Sequence, residues 1–326
     1  MSGQNNDDSI SKSFDHTMIE GKNIKNLPAS IHARLLNHAK QAGRDLNAVL
    51  LQYFQERFLY RISMSPYHEK FILKGALLFL IYDISPLRPT KDMDFLGFFS
   101  TENPEAVGSI IREISQINCD DGVHCDAENI SIEEITKESE YNGFRIKLDA
   151  YLGSIHKVLQ LDIGVGDVVV PGPARKDFPT LLKTPSFSIL VYSKESMIAE
   201  KFETIVRLSF LTSRMKDFYD ILFLAEKNNF QSSLLLRALE STFNNRSTLL
   251  ESRKIIFQSN FKNDREKQAQ WSAFLKRHRL QLDETFKSVG DKIESFIEPL
   301  FGLDEIKKDS VWQPNLWKWI DVTNDV

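Results

Sequence analysis

The sequence predicts an α+β protein: a mixed sheet with helices first, then an all-helical C-terminal part. Three observations predict it. Residues 71 to 98 read as strand, glycine turn, helix, loop and strand. Three segments between 130 and 165 carry the period-two alternation of strands. From residue 193 onward, apolar residues recur at helical intervals.

In chain order, residues 1 to 24 are polar, rich in Asn, Asp, Ser and Lys, and are expected to be mobile. A core of strands and helices is expected over 25–192. Leu27-Pro28-Ala29-Ser30 opens a helix with Ile31, Leu35, Leu36 and Ala39 at helical spacing, and Gly43 ends it. Asp45 is a fair N-cap for a second helix running to about Ile62. These two helices read as a buttress for the strand-containing core.

Within 71–98, Phe71 to Leu73 form a short apolar run, and Lys74-Gly75 breaks it. Ala76 to Tyr82 then reads as a helix, and a loop with Arg88 and Thr90 leads to Asp92-Met93-Asp94-Phe95. Side chains alternate along a strand, so Asp92 and Asp94 point the same way, with Cα atoms roughly 6.5 Å apart. Both carboxylates can converge on one hard cation, and carboxylates together with substrate phosphates are the usual holders of Mg²⁺. A glycine turn opening a helix presents free N–H groups to phosphate. The combination reads as an NTP–metal site. The alternative is an acidic strand edge after an ordinary turn.

Pro104 to Ile117 is amphipathic and helical in pattern. Strands are expected at Ile130 to Ile135, Phe144 to Tyr151 and Lys157 to Val165, the first two joined by the hairpin signal Tyr141-Asn142-Gly143. Asp162 stands between Leu161 and Ile163, and an acid in that setting is costly unless it is paired or metal-bound. The alternative is a strand-end acid facing solvent. Asp167, just after the second glycine, is the other candidate acid, though its position favours a turn residue. A Pro-rich stretch from 166 leads to a strand over Ser188 to Tyr192.

An all-helical domain is expected over 193–326. Ser193 is a plausible N-cap for a helix from Lys194 to about Ser209. The next helix holds Arg214-Met215-Lys216-Asp217-Phe218-Tyr219-Asp220, with Asp217 and Asp220 one turn apart on nearly the same face. Leu234 to Phe243, Trp271 to Leu282 and Thr285 to Leu300 continue the helical pattern. Trp312 to Ile320 holds three of the four tryptophans and reads either as a docking tail or as a segment packed back on the helices. Arg246 with Arg253-Lys254, and Lys276-Arg277-His278-Arg279, are candidate RNA-backbone contacts; solvated helix faces are the other reading.

Two patterns resemble the AbiEii/AbiGii toxin family, polymerase-beta-like nucleotidyltransferases of type IV toxin–antitoxin and abortive-infection systems. They are Lys74-Gly75-Ala76-x-Leu78 with Arg88-x-Thr90-x-Asp92-x-Asp94-Phe95, and Glu200-Lys201 with the Arg214 to Asp220 segment. Ala76 departs from the second Gly or Ser usual there, so a hydroxyl contact to phosphate is missing while the backbone N–H groups remain. The resemblance implies a polymerase-beta-like nucleotidyltransferase core with a helical C-terminal half. It implies NTP as substrate and Mg²⁺ as cofactor, the ion held by Asp92 and Asp94, with Asp162 as a third ligand or the base. Lys74, Gly75, Ala76, Arg88, Thr90 and Lys201 would hold the triphosphate. Lys201 takes the place of the family's essential lysine and Asp217 that of its later essential aspartate. An RNA acceptor, with a tRNA 3′ end as one candidate, an antitoxin encoded nearby and growth arrest or abortive phage infection are implied too. A protein or small-molecule acceptor, or a non-catalytic NTP-binding protein, are the alternatives.

Composition narrows the classes. Net charge is −4 at pH 7, so nucleic acid must meet a local patch, not a global basic field. Cys119 and Cys125 lack partner clusters and read as reduced thiols. No apolar run reaches about 18 residues and the N-terminus lacks a signal pattern, so a cytoplasmic protein with no membrane segment is expected.

Overall fold

A computed structural model describes residues 26–83, 90–99, 103–136, 142–302 and 310–321. The expected mobile N-terminus, Arg88 and Tyr141 of the hairpin signal lie outside the described residues.

Helix α1 (Leu27–Gln41) starts where Asn26 caps the backbone N–H of Ala29, and α2 (Leu46–Met64) where Asp45 caps that of Ala48. Strand β1 (Phe71–Lys74) follows, then a 3-10 turn (Gly75–Leu77) and one α turn, α3 (Leu78–Ile81). The helix expected here is therefore two short turns. Positive φ at Gly75 (+72°) bends the chain at once, and Asp83, also at positive φ, ends the segment.

Strand β2 (Asp92–Gly97) returns antiparallel to β1. Helix α4 (Pro104–Ser115) is followed by β3 (Val123–Thr136), β4 (Asn142–Leu152) and β5 (Ile155–Gly164). β3 begins seven residues before the expected strand because a register shift between Cys125 and Ile130 breaks the alternation. Short strands β6 (Ala174–Asp177) and β7 (Ser188–Val191) complete one sheet in the order β3-β4-β5-β2-β1-β7-β6. β5 runs parallel to β2 and β7 parallel to β1, so the sheet is mixed. Its centre is buried: Phe71, Ile72, Leu73, Met93 and Phe95 are fully enclosed, each such side chain contributing about 1.5–3 kcal/mol.

The C-terminal part carries α5 (Lys194–Leu208), α6 (Met215–Lys227), α7 (Ser232–Asn245), short α8 (Lys254–Phe257) and α9 (Ser259–Lys262), α10 (Arg265–His278) and α11 (Phe286–Ile297). Ser193 caps α5 as expected, accepting from the N–H of Ser196. The helices are joined by a small antiparallel hairpin, β8 (Ser310–Gln313) and β9 (Lys318–Asp321). This is the tryptophan-rich segment, and it packs back: Trp312 is fully buried, donates from Nε1 to the carbonyl of Ala225 at 2.8 Å and meets the Phe296 ring edge-on at 4.7 Å.

Candidate active site

The site grows out of one row across four strands. Lys74 on β1 faces Asp94 on β2, Asp94 faces Asp162 on β5, and Asp162 faces Arg145 on β4. Facing residues share a side of the sheet, and adjacent strands lie about 4.8 Å apart. Asp92 lies two residues before Asp94, on the same face and opposite Gln160. Met93 and Phe95 point into the core, so the alternation read from the sequence holds.

Gly75 brings the turn onto this row. A Cβ added there would lie 2.1 Å from Oδ2 and 2.9 Å from Cβ of Asp94, so only a glycine allows the contact. Ala76 is buried in the same turn, and Thr90 donates to the carbonyl of Asp92 at 3.3 Å.

Burial raises the pKa of Asp92, and the charges of Asp162 and Asp94 add to the rise, while Arg145 and Lys216 oppose it. Carboxylates that repel each other favour a bound cation. Among the described residues, no group of three or more His, Cys, Asp or Glu forms a metal cage. Asp92 and Asp94 still fit Mg²⁺, which is commonly held by one or two carboxylates plus substrate phosphates. Asp162 is the third carboxylate expected there. Asp162 does stand beside Asp94, but Arg145 grips it bidentately, from Nε at 2.9 Å and Nη2 at 2.7 Å, and Gln160 donates to it at 3.2 Å. Three hydrogen bonds thus reach its two oxygens.

Helices α5 and α6 supply the cations. Lys201 donates to Asp220 at 2.7 Å and to Asp217 at 3.4 Å, and Arg214 donates to Asp217 at 2.5 Å. Asp217 and Asp220 are buried and fix the lysine between α5 and α6. Lys216, next along α6, is close enough to act on Asp92, which brings this helix start to the strand site.

Lys74 is less available than expected. Its ammonium pairs with Asp167 at 2.6 Å and Glu200 at 3.6 Å and is mostly buried. Arg246 from α7 closes the same network, meeting Asp167 at 2.9 Å, Glu200 at 3.2 Å and Glu203 at 3.0 Å. Burial opposes ionisation of Asp167, but Lys74 and Arg246 outweigh it and hold its carboxyl well below the usual carboxylate range. Arg246 is thus an interior ion-pair residue and not the RNA contact that its basic neighbours suggest. Arg253 is corrected likewise: it is buried, pairs with Glu298 at 2.9 Å and covers the Phe301 ring. Lys276, Arg277 and Arg279 are exposed.

Sequence reasoning missed Arg145, and it missed Glu203 and Tyr192, which tie the Arg246 network together. The signal for Arg145 was present: it lies on the polar side of the alternation Phe144, Ile146, Leu148. Only the strand register makes it a neighbour of Asp162.

The family profile described as "Nucleotidyl transferase AbiEii toxin, Type IV TA system" matches residues 57–296. The chain belongs to this family of nucleotidyltransferase toxins of type IV toxin–antitoxin systems. No curated protein matches. Two Helicobacter pylori crystal structures resemble the fold loosely. JHP933 is 13% identical, covering 79% of this chain and 99% of its own, with a TM-score of 0.40. A second, described as a candidate nucleotidyltransferase, is 14% identical, covering 78% of this chain and 98% of its own, with a TM-score of 0.42. At those scores neither informs the site.

Proposed function

We propose that the protein transfers a nucleoside monophosphate from an NTP to an RNA hydroxyl, with a tRNA 3′ end as the first acceptor to test. The observation that carries this is the convergence of Asp92 and Asp94 on one sheet face, against the Gly75 turn and beside the cationic start of α6. In the transfer, the acceptor oxygen bonds to the α-phosphorus, the bond from that phosphorus to the β-bridging oxygen breaks, and pyrophosphate leaves. The hydroxyl proton is lost to solvent or a site carboxylate. Mg²⁺, held by Asp92 and Asp94, would neutralise phosphate charge when bound.

Lys201 is suited to the triphosphate: it is a point charge fixed by two buried aspartates, so little rearrangement is needed as charge develops on the leaving group. Asp217 positions Lys201 and Arg214 together. The Gly75-Ala76 backbone offers N–H groups to phosphate without a side-chain hydroxyl, and Thr90 steadies the start of β2. In a cell the expected setting is the cytoplasm, with growth arrest or abortive phage infection as outcome and a nearby-encoded antitoxin as counterpart. No helix of the described residues is long and apolar enough to cross a membrane.

Purified protein incubated with Mg²⁺, each α-labelled NTP and total tRNA, then resolved on a denaturing gel, tests the proposal. Label on RNA from one NTP, lost in Asp92→Ala, is the expected result. Label on protein or on a small molecule would move the acceptor class. No label on any fraction would overturn the reaction.

A further inference from the structure

The proposed transfer leaves Arg145 without a role. It follows Asp162 in the Lys74–Asp94–Asp162–Arg145 row, which ends at Glu133 on β3, and it lies on the same sheet face as the acidic pair. Two of its nitrogens, Nε and Nη2, bond Asp162. A guanidinium carries five N–H donors in a rigid fork, so the Nη1 edge is left over. Among the described residues that edge makes no hydrogen bond, although the charges of Asp92 and Glu133 act on the guanidinium, and the side chain is 36% exposed. A structural ion pair in a sheet would need neither the exposed second edge nor a place beside the two carboxylates of β2. The pair also fixes the orientation of the fork, because Asp162 is itself held by Gln160 and by its place between two strands.

We propose that Arg145 is a phosphate-binding residue of this site, presented by Asp162, whose carboxylate serves as its anchor. The proposal deepens the nucleotidyltransferase reading and rests on it for the identity of the phosphate, which comes either from the triphosphate or from the acceptor backbone. A bidentate carboxylate leaves the opposite edge of the guanidinium pre-aligned for a second anion, a geometry lysine cannot reproduce. The same contact keeps Asp162 out of the cation site. Removing Arg145 therefore has two effects of opposite sign: phosphate binds less well, and a divalent cation binds better because a third carboxylate is released beside Asp94.

The test uses the full chain and three probes without turnover: Mn²⁺ alone, inorganic tripolyphosphate, and a labelled single-stranded RNA. Arg145→Gln is expected to weaken tripolyphosphate or RNA binding by about tenfold or more, and which probe responds identifies the source of the phosphate. Mn²⁺ binding should tighten several-fold in Arg145→Gln and return to the wild-type value or weaker in the Arg145→Gln, Asp162→Asn double variant. Arg145→Lys should keep less than half of the lost phosphate binding. Asp162→Asn alone should weaken the same probe as Arg145→Gln, and the double variant should be no worse than Arg145→Gln. The proposal is overturned if neither anionic probe binds the wild type. It is also overturned if Arg145→Gln changes both by less than twofold, or if Mn²⁺ weakens in it. Because these are binding readouts, they stand apart from label transfer: protein that binds an anionic probe through Arg145 but transfers nothing sinks the reaction and leaves the binding role standing.

Discussion

Gly75→Ala should damage the site through one contact, and the size of the effect follows from the geometry. At φ +72° an alanine incurs the left-handed penalty of about 1–2 kcal/mol. The new methyl would also lie 2.1 Å from Oδ2 of Asp94, 2.8 Å from Cγ and 2.9 Å from Cβ. A rotamer change moves Oδ2 and Cγ aside. It cannot move Cβ, which is fixed to β2, so β1 and β2 must separate or the turn must reshape. Overpacking of that kind adds about 1–3 kcal/mol. The total is about 2–5 kcal/mol of stability, together with a carboxylate displaced by about 1 Å, which costs transfer on the order of 10²-fold. Gly43→Ala is the matched control: φ is +62°, but nothing lies within 4 Å of its added Cβ. It should carry the backbone penalty alone and leave transfer intact. Urea unfolding followed by tryptophan fluorescence, with label transfer on the same samples, separates the two terms. If Gly75→Ala is no less stable than Gly43→Ala and transfers at the wild-type rate, Asp94 does not depend on the turn.

Substitutions at three further residues test Asp92 and Lys201 of the site and, outside it, buried Glu56 of α2. Asp92→Asn should abolish transfer yet raise the urea midpoint at neutral pH without divalent cation, because a carboxyl whose pKa is raised in the fold stabilises it only while protonated, and that share is lost as pH rises; a lower midpoint would refute the electrostatic reading. Lys201→Ala should lose both transfer and about 3–5 kcal/mol, since it strips a cation from buried Asp217 and Asp220, whereas Lys201→Arg should recover most of the stability and little of the transfer; equal unfolding midpoints for the two variants would speak against it. Burial pushes Glu56 up to about 7 from 4.5, so its contribution is full below pH 4.5 and falls away as pH rises toward 7. Glu56→Gln should flatten that fall in a pH series of urea midpoints, and an unchanged slope would refute it.

The parts of the fold that were legible carried their own local chemistry. Gly75 announced a turn because a left-handed position there needs glycine, and Asp92, Met93, Asp94 and Phe95 displayed strand alternation with the acidic side outward. Ser193 announced the start of α5 because its side chain caps the helix it precedes. What was not legible depends on distant partners. β6, Ala-Arg-Lys-Asp, is exposed at every position and has no apolar face to betray a strand; it exists because β7 supplies its hydrogen bonds. Arg246 looked like a surface base, yet it meets Asp167 across 79 positions of chain, a closeness created only by packing α7 on α5. Asp162 was legible as an acid needing a partner, but the partner was Arg145, reached through strand register.

The charge pattern also says how the two parts of the chain depend on each other. Lys74 ends β1 in a mostly buried position, and its nearest anions come from different places: Asp167 from the turn after β5, Glu200 from α5. Asp167 and Glu200 in turn share Arg246 from α7. Remove the helices, and Lys74 keeps Asp167 while Asp167 loses one of the two cations that hold its carboxyl low; Glu200, Lys201 and the α6 start go with them. Breaking buried pairs in this way costs about 3–5 kcal/mol for each uncompensated charge. β7, at the centre of the sheet's second half, also passes directly through Tyr192 and the Ser193 cap into α5, and Tyr192 donates to Glu200 at 3.0 Å. A chain cut at 192 would therefore keep both acidic residues of β2 and still lose Lys216, one of the two cations that offset the repulsion on Asp92. The helical part is as much a component of the site as the strands that display the aspartates.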